Sequence, residues 1–378
     1  MDALIKAGAA HIAKRAGREL DALVAISSPS GDVGGAEEAI ALCVALLPEQ
    51  AVVQRVPCST RGSAADLVAT IPGTGSGRML LLGHVDTVIA HDSHAPLRRN
   101  GDRLYGPGTA DMKGGVVLSL GLARELAQRP ESFEELAVVL VTDEEWRASP
   151  FVHPPRFAGY DACLCFEAGQ LTSDGEEAVV VRRKAAGTLR VRAAGRAAHS
   201  GSAPDQGRNA LLGLAGTAVE LSGHHDPRGP QHLSVVPTVI RSGDAFNVVP
   251  ASGELLFDLR ADQLEAFDAV LAAVPANVDG VALEAGMDRR WPGMDAIETT
   301  RPLLERASAR LGQAIIGASR GGASDASHFA ATVPITIDGL GPRGGGAHTP
   351  QEFVLEPAIE KRAQVALAVA AEVLGMNS

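Results

Sequence analysis

Nowhere in the chain do apolar residues run unbroken for the roughly 18 positions that a membrane-crossing helix needs. The N-terminus opens with a mixed-charge helical pattern, Met1 to Ala25, and lacks the basic start and apolar block of an export signal. A cytoplasmic protein with no membrane partner is therefore expected. Aromatic residues make up only 3% of the chain, and the net charge is -11. Few rings are available to stack on bases and the overall field repels polyphosphate, which argues against nucleic acid as a partner. The densest basic stretch, Arg182 to Arg196, reads as a solvated strand face, because Arg190 and Arg192 flank Val191 as alternate residues of one strand do. Cysteine is also scarce. The four, Cys43, Cys58, Cys163 and Cys165, show neither zinc-finger nor redox spacing, so reduced, buried cysteines in apolar surroundings are expected. No repeat at a solenoid period and no low-complexity segment is present.

What the chain does contain is apolar material: 46% of 378 residues, enough for one large core and a smaller one. Short apolar runs end abruptly in polar or acidic residues. Met79 to Leu82 leads into Gly83-His84-Val85-Asp86, Leu136 to Val141 into Thr142-Asp143-Glu144-Glu145, and Ala162 to Phe166 into Glu167. A less pure run, Val333 to Ile337, leads into Asp338. Such runs suit strands buried on both faces, and helical patterns lie between and around them at Ala36 to Leu47, Gly114 to Ala127, Thr300 to Leu311 and Glu356 to Leu374. The expected fold class is α/β, a mostly parallel central sheet with helices on both faces. Between about 186 and 290 the texture changes to strand, helix, strand, strand, helix, a small α+β sandwich inserted into the larger domain. The boundaries implied are 1-185 and 291-378 for the two parts of a catalytic domain and 186-290 for the insertion.

Ligands of open α/β sheets gather beyond the carboxyl ends of the strands, and there this chain carries His84, Glu144, Glu145, Glu167 and, in the loop after the last strand, His348. Asp111 joins them from the glycine-rich loop Gly106 to Gly115. That loop fits neither phosphate-binding spacing, and an aspartate would repel phosphate. Taken singly, each residue has an ordinary structural use as a cap, a core histidine or a solvated strand end. Their joint occurrence at one sheet edge outweighs those uses. Two histidines and three carboxylates suit zinc, cobalt or manganese, and they divide evenly if Asp111 bridges: His84, Asp111 and Glu167 for one ion, Asp111, Glu145 and His348 for the other. Adjacent residues of an extended strand point to opposite sides, so one of Glu144 and Glu145 ligates while the other faces the substrate and can move a proton. Asp86, two residues beyond His84, is placed to accept the outer N–H of a ligating imidazole.

Gly83-His-Val-Asp-Thr87, Gly106 to Gly115, Asp143-Glu-Glu145, Gly195-Arg-Ala-Ala-His-Ser-Gly201, Asn247-Val-Val-Pro250, Gly321-Gly-Ala-Ser-Asp325 and Gly345-Gly-Ala-His-Thr349 occur in that order. In these motifs the sequence resembles the metallopeptidases that include bacterial glutamate carboxypeptidase, acetylornithine deacetylase and succinyl-diaminopimelate desuccinylase. The resemblance implies a hydrolase with two metal ions, most simply zinc, that cleaves an amide or peptide bond beside a free carboxylate. It implies Glu144 as general base and Glu145 as ligand, and an inserted domain that acts as a lid and forms a homodimer. By the same resemblance His199 polarises the scissile carbonyl in the partner's active site, while Asn247 and Arg260 hold the substrate carboxylate. A carboxypeptidase and an N-acyl-amino-acid deacylase would use the same atoms; an inactive binding protein on this fold would have lost Glu144 or a ligand, and neither is lost. Trp146-Arg147-Ala148 departs from the small residue and glycine that commonly follow Glu145 in that family, which reshapes the adjoining loop.

Overall fold

The computed structural model describes residues 2–376, and the chain divides into two compact units. The first comprises Met1–Arg182, Asp295–Arg320 and Ser324–Ser378; the second comprises Arg183–Met294 with Gly321–Ala323.

At the centre of the first unit lies a six-stranded sheet. Its strands, in spatial order, are Val52–Val56, Asp66–Pro72, Glu135–Val141, Arg78–His84, Ala162–Cys165 and Ile335–Ile337. The last four are mutually parallel, with Leu82 level with Val139 on one side and Cys165 on the other. Val52–Val56 and Asp66–Pro72 are antiparallel additions that the pattern of apolar runs does not reveal. Val52–Val56 is an exposed edge strand with mixed side chains, so it carries no run of apolar residues to announce it. The central strands are buried almost throughout, which is why they read as unbroken apolar runs.

Helices Ala3–Ala25, Gly114–Ala127 and Glu356–Val373 pack with the sheet into one large core. Helix Gly114–Ala127 occupies the span expected for it and is buried along most of its length. Its start depends on glycine. A Cβ on Gly115 would sit 1.8 Å from the carbonyl oxygen of Phe166, so only glycine lets this helix approach the end of the Ala162–Cys165 strand. A second, small sheet pairs Arg103–Tyr105 with Phe353–Leu355, placing Tyr105 opposite Phe353. It thereby sets the loop after Tyr105 beside the loop before Phe353.

The second unit is a five-stranded antiparallel sheet with its own core, including Leu189, Val191, Leu214, Leu255, Phe257 and Phe267. Its elements run Ala185–Ala194, helix Ala210–Ser222, Ser234–Ser242, Ser252–Ala261, helix Ala266–Ala272, Asn277–Val278 and Val281–Trp291. The strand Val281–Trp291, which pairs with Ala185–Ala194, is missing from the expected pattern. Its exposed and half-buried residues include charges such as Glu284, Asp288 and Arg289, so no apolar run marks it. Arg190 is not free in solvent as expected: its guanidinium pairs with Glu254 and with Asp288 at 2.6 Å, both on neighbouring strands. All four cysteines are free, three of them buried and Cys58 half-buried. Among the described residues no helix is long and apolar enough to cross a membrane.

Candidate metal centre

Strand Arg78–His84 ends on His84, whose ring is buried at the carboxyl edge of the sheet. Its Nε2 lies 3.1 Å from Asp111 Oδ1 and 3.6 Å from Glu167 Oε1. On the far side of Asp111, Oδ2 is 3.2 Å from His348 Nε2, which is in turn 3.1 Å from Glu145 Oε2. One carboxylate thus stands between two half sites, His84 with Glu167 and His348 with Glu145.

Asp86 supports this arrangement from behind. Its Oδ1 is 3.3 Å from His84 Nδ1, its Oδ2 accepts from Ser30, and the backbone N–H groups of Glu144 and Glu145 each donate to it at 3.2 Å. The backbone oxygen of Asp86 lies closer to His84 Nδ1, at 3.1 Å, so one buried residue orients His84 through its carbonyl and carboxylate and holds the backbone of the two glutamates through the carboxylate. Glu144 and Glu145 lie in a turn beyond Val141, not on the strand itself. The strand alternation expected to separate their side chains therefore does not apply, and the turn, pinned by Asp86, does the separating.

Electrostatics follow from crowding acids in a dry place. Burial pushes the Glu144 carboxyl up to about 8, with Glu167, Glu145 and Asp111 adding to the rise. Glu167 is raised to about 7, again chiefly by burial. For Asp111 burial acts upward too, yet hydrogen bonds from His348 and His84 prevail and hold it below the usual carboxylate range. His348 is raised to about 10 by its bonds to Asp111 and Glu145, and His84, despite burial, is raised by Asp111, Asp86 and Glu167. The neighbouring carboxylates thus favour the protonated form of both imidazoles.

Do these residues fit divalent ions? Ligand atoms of His84, Asp111 and Glu145 come within 4.8 Å of one another, and Glu145 Oε1 is buried with no hydrogen-bond partner. A buried carboxylate oxygen left without a donor is costly unless a cation is to be its partner. The mixed imidazole and carboxylate set suits zinc or a similar ion.

Three features escape a reading of the sequence. Glu352, only 2% exposed, accepts from the backbone N–H groups of Gly108 at 2.8 Å, Ala110 at 2.7 Å and Asp111 at 2.9 Å. Lys113, buried, donates its Nζ to the carbonyl of Ile26 at 2.6 Å, and burial lowers it to about 8. Arg147 is buried between Asp143, at 3.0 Å, and Asp325, and stacks on Phe151 at 4.1 Å. Trp146, between Glu145 and this anchored arginine, stays 67% exposed. The only signal for Glu352 is its place four residues after His348; a buried acid in a polar loop looks like any surface acid.

His199, Asn247 and Arg260 belong to the second unit. His199 is exposed and its Nδ1 accepts from the N–H groups of Gly201 and Ser202, at 3.1 and 3.2 Å. Asn247, also exposed, accepts through its backbone oxygen from Ser200 N–H at 3.0 Å. Arg260 grips Asp258 at two points, each 3.0 Å.

The model of peptidase family M20/M25/M40 matches residues 80–372. Carboxypeptidase G2 of Pseudomonas sp. (strain RS-16) is 29% identical over 369 residues, covering 92% of this chain and 87% of that protein. Succinyl-diaminopimelate desuccinylase of Xylella fastidiosa (strain M12) is 28% identical over 317 residues, 78% of this chain and 82% of that one. Among solved structures, the Bacillus subtilis YXEP protein, described as a dinuclear metal binding peptidase of the same family, superposes with a TM-score of 0.69 at 18% identity, over 97% of this chain and 99% of that one.

Proposed function

Because this chain belongs to peptidase family M20/M25/M40 and is a metal-dependent hydrolase of the peptidase and amidohydrolase type, we propose that it releases a C-terminal amino acid from a peptide or N-acyl amino acid at a two-zinc centre. The observation that carries this reading is the shared Asp111, one oxygen against His84 and the other against His348. His84, Asp111 and Glu167 would hold one ion, and Asp111, Glu145 and His348 the other. When bound, the ions supply Lewis acidity, which makes a water acidic at neutral pH and stabilises the oxyanion that develops on the substrate.

The chain's own residues do the rest. Glu144, buried beside Glu145, would take a proton from the attacking water and return it to the leaving nitrogen. Asp86 keeps His84 turned so that Nε2 faces Asp111. The Nδ1 of His199 is an acceptor for two N–H groups, which leaves its proton on Nε2 as a donor for a carbonyl oxygen. The Arg260 fork, which holds Asp258 at two points, would exchange that carboxylate for the substrate's, and Asn247 is the neighbour of Val248, which pairs with His199. The second unit would serve as lid and as the surface of a homodimer. What supports a dimer is its exposed apolar side chains, with Leu212 and Val219 on one face of helix Ala210–Ser222.

Likeness at similar identity to a carboxypeptidase and to a desuccinylase favours a second reading, an N-acyl-amino-acid deacylase working with the same residues. A hydrolysis screen of dipeptides and N-acyl amino acids, with zinc or cobalt supplied, tests both. The expected result is cleavage only of substrates with a free carboxylate, reduced about a hundredfold or more in Glu144→Gln at unchanged metal content. Near-normal turnover in that variant moves the general base elsewhere.

A further inference from the structure

We propose that Glu352 is a positioning residue for the metal centre: its buried carboxylate locks the loop of Asp111 to the loop of His348, so that the bridging carboxylate is aimed before any ion arrives. The proposal rests on the two-ion reading above and adds to it a residue that contacts neither substrate nor ion.

Residues 109–113 turn irregularly, and Asp111 has a non-helical backbone at φ −131 and ψ 90. Its N–H and those of Gly108 and Ala110 have no place in a helix or sheet ladder, and buried donors of this kind need an acceptor. All three converge on the Glu352 carboxylate. Such converging amides form an anion-binding hollow, here filled by a side chain of the same chain.

Glu352 is fixed to both loops by its backbone as well. Its carbonyl accepts from Gly106 N–H at 3.1 Å, at the start of the glycine-rich loop. Its own N–H donates at 3.1 Å to the carbonyl of Thr349, the residue after His348. The next residue, Phe353, pairs with Tyr105 on one side and Gly345 on the other. A single residue thus frames His348 and Asp111, whose side chains meet at 3.2 Å. Since Asp111 serves both half sites, an error in its loop degrades both. Partners that orient ligands without touching the ion are typically worth about 10- to 100-fold in metal affinity.

The test is zinc titration of the full-length, metal-free protein in competition with a chromophoric chelator, comparing wild type with Glu352→Gln and Glu352→Asp. Glu352→Gln keeps the size of the side chain and removes its charge. Both zinc dissociation constants should rise about 10- to 100-fold. A merely structural role lowers the unfolding temperature of the metal-free protein and leaves both constants within about threefold of wild type, and that result overturns the proposal. Amide hydrogen exchange of metal-free wild type decides the matter even if the variants do not fold. Protection at Gly108, Ala110 and Asp111 before zinc is added supports the proposal; free exchange there until zinc arrives refutes it. A wild-type protein that takes up no zinc refutes the two-ion reading and this role together, whereas normal uptake of two ions by wild type and variant alike refutes this role alone.

Discussion

At the scale of single residues the protons held by the metal-free form have a measurable consequence. His348 rises from an ordinary 6.5 to about 10 in the folded protein, so the stability it contributes is fully present below pH 6.5 and is lost as pH climbs through about 10. Glu144, raised from 4.5 to about 8, acts in the same direction, because the folded state holds its proton more tightly than the unfolded one. The metal-free protein is therefore expected to lose thermal stability as pH rises, through Glu144 from 4.5 to about 8 and through His348 from 6.5 to about 10, read by unfolding in excess chelator, and His348→Gln should flatten the upper part of that slope. A midpoint that is level or rises over this range contradicts the assignment. A zinc ion held by these residues would displace the protons, so zinc uptake should release protons that calorimetry in buffers of differing ionisation enthalpy will count. The residues that formed one group in the sequence, His84, Asp111, Glu145, Glu167 and His348, were legible because each follows a strand end or a glycine-rich turn. Glu352 and Lys113 were not, because their importance lies in which backbone groups they meet, and no local pattern encodes that.

At the scale of elements, the turn after strand Glu135–Val141 depends on a buried ion triad. Arg147 is fully enclosed with Asp143 and Asp325 beside it. Replacing one member leaves the others charged and buried, a loss of about 3–5 kcal/mol. Arg147→Met should lower stability by that amount in denaturant unfolding, and a change below about 1 kcal/mol would show that water reaches the carboxylates. The parallel strands of the first unit were legible because burial on both faces leaves unbroken apolar runs, and its helices because apolar residues recur at helical spacing along one face. Strands Val52–Val56 and Val281–Trp291 were hidden for the opposite reason: many of their residues face outward and carry charges or small side chains.

At the scale of the whole molecule, the proposed homodimer sets two expectations. Size-exclusion with light scattering should return twice the chain mass, and charged substitutions at Leu212 and Val219 should halve it. If His199 serves the partner's site, mixing inactive His199→Ala with inactive Glu144→Gln protein restores part of the activity, since one site in each mixed dimer has both groups. No recovery despite subunit exchange confines His199 to its own chain. Arg260→Ala should raise KM for carboxylate-bearing substrates and erase discrimination against their amides, because a guanidinium fork is what tells the two apart.

The first unit is assembled from three separate stretches of chain, and its candidate centre draws on the first and the last. During synthesis the ribosome delivers His84, Asp111, Glu145 and Glu167 long before His348 and Glu352, with the bulk of the second unit emerging in between. A nascent chain can collapse its parallel strands early, yet it holds one half site alone, beside a bridging acid whose loop has not been framed. Chains cut short upstream of His348 are expected to lack activity, because the second half site and the residue that frames the Asp111 loop are both missing.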